Sequence, residues 1–152
     1  MKTRSENRIR PTSAKILIPV GKAFSKQLIT QALHLFSVFK NPLIILFSVV
    51  EVPSRTGTLE TEPYRVQINQ AEKKLNDLSK WLTAQDLKVR VKVVVARNVA
   101  EGIVEETESD GYTAVFMMKR RTKKGWRGLL TRSVTQRVVR RANCFVMTAP
   151  LE

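Results

Sequence analysis

The sequence predicts an alternating α/β fold, in which an open parallel sheet is covered by helices on both faces. Three observations predict it. Apolar runs rich in strand-forming residues, KILIPV (15–20), LIILFSVV (43–50) and YTAVFMM (112–118), have the continuous hydrophobicity of strands buried on both sides. Between them lie longer segments whose apolar residues recur every three or four positions, the period of a helix face. Strand and helix alternate throughout, and crossovers of this length make successive strands parallel.

Taken in order, residues 1–13 are polar, end in Pro11, Thr12 and Ser13, and read as a flexible basic arm or linker ahead of a single domain, 14–152. Residues 15–20 form the first strand. Gly21, Lys22 and Ala23 make a turn, and Ser25 is placed to cap a helix starting at Lys26. In that helix Leu28, Ala32, Leu35, Phe36 and Phe39 fall on one apolar face, and His34 lies opposite it, exposed. Asn41 and Pro42 stop the helix, and 43–50 is the second strand. The connection EVPSRTGTLETEP (51–63) is long for such a unit, a loop suited to covering a site. Tyr64, Ile68, Ala71, Leu75, Leu78 and Leu82 then step by fours and threes along a second amphipathic helix.

KVRVKVVV (88–95) alternates charge with valine, the pattern of a strand at or near a sheet edge, where lysines discourage pairing with other chains. Asn98 caps a third helix running to about Ser109, with Glu101, Glu105, Glu106 and Glu108 on its solvent side and Asp110 and Gly111 closing it. Residues 112–118 are the fourth strand, and the abrupt change to KRRTKKGWRG after Met118 marks a basic loop at its carboxyl end. From Ser133 a last helix sets Val134, Val138 and Val139 on one face and Arg137, Arg140 and Arg141 on another, ahead of a fifth strand at 144–147. The basic loop thus lies between a strand's carboxyl end and a helix amino terminus, where open α/β sheets bind ligands.

At 152 residues and 43% hydrophobic content, the chain has enough material for one self-sufficient core. Its net charge of +14 is concentrated, because residues 119–141 contain many Lys and Arg and no Asp or Glu. Such a field attracts phosphates, acidic partners, nucleic acid or anionic headgroups, while the plainer reading is a solvated face that keeps the protein soluble. Trp126, between Lys124 and Arg127, serves either as a base-stacking platform or as an anchor holding its loop on the domain. Cys144 is the only cysteine, so it has no intramolecular disulfide partner; in an apolar strand it reads as a buried thiol and fits a reducing cytosol.

No segment has the apolar length of a signal or a membrane span, so the expected location is cytoplasmic. A lone histidine and a lone cysteine leave no zinc cluster, and no HExxH, GxSxG or GxxxxGK[ST] sequence occurs, so the expectation is a protein without catalysis, metal or cofactor.

Three stretches, KILIPV, ARNVAEGIVEETESDGYTAVFMM and GLLTRSVTQRVVRRANCFVM, together resemble the universal stress protein family over residues 14–149. The resemblance implies a Rossmann-like sheet of five strands in the order 3-2-1-4-5, a regulatory or stress-response role, and a homodimer built on the last strand, 144–148. Nucleotide-binding members resemble one another in a pattern of G, two residues, G, nine residues, G and then S or T. With Ser133 on the final position, Lys119, Thr122 and Arg132 stand where the three glycines belong.

Glycine there lets backbone approach phosphate and take positive φ, which costs other residues about 1–2 kcal/mol. Those members also carry an aspartate after the first strand, where this chain has Gly21. The matched site comprises Val20, Gly21, Lys119, Thr122, Gly125, Arg132, Ser133 and Val134. Its departures imply that ATP is not held in the family's usual way, and that another anion meets the basic loop instead. Two other readings stay open: a cytosolic regulatory domain of a membrane transporter, and a nucleic-acid-binding protein indifferent to sequence.

Overall fold

The computed structural model describes residues 14–21, 24–53, 62–120 and 134–151. The amino-terminal arm, most of the 51–63 connection and the basic loop, including Thr122, Gly125, Trp126, Arg132 and Ser133, lie outside them. Five parallel strands, β1 (Lys15–Pro19), β2 (Leu43–Glu51), β3 (Lys88–Ala96), β4 (Ala114–Arg120) and β5 (Phe145–Leu151), form one sheet in the order β3-β2-β1-β4-β5. The crossovers contain α1 (Lys26–Phe36), α2 (Arg65–Thr83), α3 (Val99–Ser109) and α4 (Val134–Arg141), with a 3₁₀ turn at Glu62–Tyr64 leading into α2.

The strands form where branched and aromatic residues run together, and β1 lies at the centre. Ile16, Leu17 and Ile18 have no exposed surface, because β1 pairs with β2 along its length and with β4 at Ile16↔Ala114 and Leu17↔Val115. Alternate residues serve two cores. Ile16, Ile18, Ile44, Leu46 and Phe116 face α1 and α2, whereas Leu17, Ile45, Phe47, Val115 and Met117 face α3 and α4. Each fully buried side chain of this size contributes about 1.5–3 kcal/mol relative to exposure.

Local signals start and stop the helices. Ser25 Oγ accepts from Leu28 N at 3.2 Å, and Asn98 Oδ1 accepts from Glu101 N at 2.9 Å, so both expected caps are present. Asn41 (φ 47°) precedes β2 and Asp86 (φ 64°) precedes β3; both residue types tolerate left-handed backbone. The α1 stripe is turned from the expected one. Ile29, Ala32 and Phe36 are buried, whereas Leu35 is 57% exposed, because Phe36 stacks edge-on against Phe116 of β4 with ring centroids 5.7 Å apart. That contact sets the rotation of the helix.

The last helix is turned from its expected face as well. In α4, Thr135 and Val138 face the sheet, while Val134 (38%) and Val139 (54%) are exposed. Strands β4 and β5 begin at Ala114 and Phe145 rather than 112 and 144, and β5 continues through Leu151 because its pairing with β4 persists to the end. Cys144 is half-buried, and that burial pushes its thiol pKa up. His34 is exposed, as its position opposite the apolar stripe requires.

Glu106 is not on the solvent side of α3. It is 5% exposed and pairs with Lys92 of β3 at 2.8 Å, while Tyr112 donates its hydroxyl to Oε1 at 2.7 Å. A buried carboxylate needs such partners, since an unpaired one would forfeit its hydration without return. Burial first, then the bond and charge of Glu106, hold the Tyr112 phenol far above its ordinary pKa. Lys15 lies over the Tyr112 ring, 4.6 Å from its centroid, and pairs with Asp110, so β1, β3, α3 and the approach to β4 are tied together.

One glycine is required by packing. At Gly102 a Cβ would stand 2.7 Å and 3.1 Å from the Val49 methyl carbons and 3.2 Å from Ala96 Cβ, so α3 lies directly on β2. Gly102→Ala is expected to cost about 1–3 kcal/mol in urea denaturation, and the double variant with Val49→Ala to recover part of it. A neutral single substitution would show that the helix is free to lift.

Candidate functional site

Parallel pairing brings the carboxyl ends of β1 and β2 to one edge, and Val20 extends the pairing past β1 by donating its N–H to Phe47 O at 2.7 Å. Above this edge lies a cleft of about 630 Å³, within the usual size range of small-molecule sites. Its floor comes from Pro19, Val20, Gly21 and the end of β2. The first turns of α2 wall it on one side and Val99, the first residue of α3, on the other. The apolar lining is Val20, Phe47, Val49, Ala71, Leu75 and Val99.

Polar groups stand at defined places in this lining. Lys74 reaches from α2 and donates from Nζ to the Gly21 carbonyl at 3.0 Å. Glu51, at the end of β2, accepts from Val99 N at 3.1 Å, which places a carboxylate on the amino terminus of α3 beside the Asn98 cap. The free N–H groups and positive end of the helix favour that charge. Gln67 and Gln70 precede Lys74 along α2 at the spacing that puts all three over the cleft.

Two of the residues matched from sequence, Val20 and Gly21, line this cleft. Lys119, exposed near the end of β4, and Val134, opening α4, are not among its described lining residues, and Thr122, Gly125, Arg132 and Ser133 lie outside the described residues. The described lining of the cavity comes from β1, β2, α2 and α3. Sequence reasoning missed Lys74, Gln67, Gln70 and Glu51. A polar row, Gln67, Gln70 and Lys74, flanking the Ala71–Leu75 stripe at the amino-terminal end of α2 was the available signal for three of them.

At Gly21 a Cβ would meet nothing within 4 Å, so glycine there is not a packing requirement and a larger side chain fits. Among the described residues no group of three or more His, Cys, Asp or Glu is placed to hold a metal ion, and no helix is long and apolar enough to cross a membrane.

The family model for the universal stress protein family matches residues 13–150. The chain belongs to the universal stress protein family. Among solved structures, the hypothetical protein MJ0577 superposes with a TM-score of 0.70 at 23% identity, covering 92% of this chain and 97% of its own. A universal stress family protein from Burkholderia pseudomallei gives 0.65 at 19% identity, with 91% and 97% coverage. A universal stress protein solved in complex with cAMP gives 0.65 at 15% identity, with 92% and 98% coverage. At these identities the likeness is one of fold. A search of curated proteins found no match.

Glu51→Ala is expected to destabilise the domain by about 0.5–2 kcal/mol, the range for losing a helix cap, and to speed amide exchange in the first turn of α3. Exchange unchanged at Val99 and Ala100 would mean that the carboxylate does not hold the helix end.

Proposed function

We infer that this universal stress protein is a non-enzymatic, cytoplasmic regulatory domain that responds to a small ligand held in the cleft over β1 and β2. The observation that carries the reading is the cleft itself: an apolar-walled cavity of ligand size, at the carboxyl edge of a parallel sheet, with a lysine at one end. Its described carboxylate, Glu51, is engaged with the α3 backbone, which suits binding better than proton transfer. That a protein of the same fold was solved with cAMP supports a nucleotide-sized occupant.

ATP held through a glycine-rich phosphate loop is disfavoured, because Lys119, Thr122 and Arg132 replace glycines and Gly21 replaces an acid in the pattern of nucleotide-binding members. The basic segment supplies an anion-attracting surface in its place, to which Lys119, Arg137, Arg140 and Arg141 contribute exposed side chains. Binding in this account stabilises the β1–β2 edge and the start of α3. Regulation then acts through stability and partner contact rather than turnover.

The domain assembles as a homodimer through β5. That strand is at the sheet edge with unpaired backbone on its outer side, and it carries an exposed large apolar side chain, Phe145, at 77%. Phe145→Asp is expected to convert the dimer to monomer by light scattering, and an unchanged dimer would place the interface elsewhere.

Thermal shift with ATP, AMP, cAMP and inorganic phosphate, at low and moderate salt, tests the ligand reading. A ligand at 100 times its dissociation constant stabilises by about 2.7 kcal/mol. A nucleotide shift that survives salt and disappears in Ala71→Trp, which fills the cleft wall, is the expected result. Shifts with every anion that vanish in salt, or shifts indifferent to Ala71→Trp, would contradict it.

A further inference from the structure

The two charges among the described lining residues of the cleft are not equivalent. Glu51 is compensated, because the Val99 N–H and the amino terminus of α3 face one of its oxygens. Lys74 is not. An ammonium has three donors, and the interaction that the described residues give it is the single bond to the Gly21 carbonyl, a neutral partner. Among the described residues, no carboxylate pairs with it. Among its described lining residues the cleft therefore presents one cation with spare donors at the Gly21 end, a mostly apolar body formed by Val20, Phe47, Val49 and Leu75, and two side-chain amides, Gln67 and Gln70.

Apolar walls take a flat hydrocarbon or heterocyclic ring, amides read polar atoms on its edge, and a lysine point charge takes an oxyanion. We propose that the cleft binds small planar organic acids, the carboxylate on Lys74 Nζ and the ring between the apolar walls, and that Lys74 selects the acid over its neutral counterpart. The inference rests on the cleft being the ligand site and goes beyond it by naming the ligand's charge and the residue that reads it. Gly21 contributes twice: its carbonyl orients the ammonium, and its missing side chain leaves the room beside Lys74 open.

The test uses pairs of equal shape and different charge, nicotinate against nicotinamide and benzoate against benzamide, titrated into the intact protein and followed by backbone amide shifts. Each acid is expected to bind roughly fivefold or more tightly than its amide, the low end for a charge-assisted hydrogen bond once solvent screening of an exposed lysine is discounted. The preference shrinks as salt is raised. Lys74→Gln removes the preference while the amides bind as before. Gly21→Asp, for which space exists, places a carboxylate beside Lys74 and removes the preference by another route.

Acid and amide binding alike in the wild type, or a preference that survives Lys74→Gln, overturns the role of Lys74 while the cleft stands. Failure of all four probes at millimolar concentration overturns the ligand class, with the nucleotide thermal shifts and Ala71→Trp still deciding the cleft. Shifts confined to residues outside the cleft overturn both.

Discussion

The structure depends on the burial of β1 on both faces. Ile16, Leu17 and Ile18 lose all solvent contact, so the strand needs a neighbour on each side and a helical layer on each face. Parallel pairing with β2 and β4 supplies the first, and α1 with α2 on one face and α3 with α4 on the other supplies the second. The same geometry sends the carboxyl ends of β1 and β2 to one edge, where the sheet stops and the helices begin. A cleft at that edge is a consequence of the topology, and its chemistry is set by the few side chains that reach over it.

The position of α3 connects core to cleft. Gly102 lets the helix lie against Val49, whose other surroundings include the cleft, and Glu51 holds the helix's first N–H group. Further along, Glu106 ties the helix to Lys92 on the edge strand β3 and to Tyr112 ahead of β4. A ligand that tightens the β2 end therefore acts on the same helix that braces the sheet edge. On the proposed reading, this is a physical path from occupancy to stability.

Much of the fold was legible because its signals are local or periodic. Ser25 and Asn98 announce helix starts, the lysine-valine alternation of 88–95 marks the edge strand β3, and the apolar runs mark the inner strands. What was not legible depended on neighbours distant in sequence. The rotation of α1 is decided by Phe36 meeting Phe116, and Glu106 is drawn inward by Lys92 and Tyr112, pairings that no helical periodicity contains. Val20 and Gly21, which line the cleft, were singled out through the family resemblance, whose members carry an aspartate just after the first strand. Lys74 reaches Gly21 from a helix 53 positions later, and only the crossover geometry of α2 brings the two together.

In the proposed reading the ligand sits in the β1–β2 cleft under α2. Mapping backbone amide shifts during titration with AMP, on the intact protein at moderate salt, locates it. The largest changes are expected at Val20, Gly21, Val49, Ala71 and Val99. Changes concentrated in residues 119–134, with those positions silent, would contradict it and assign the ligand to the basic loop.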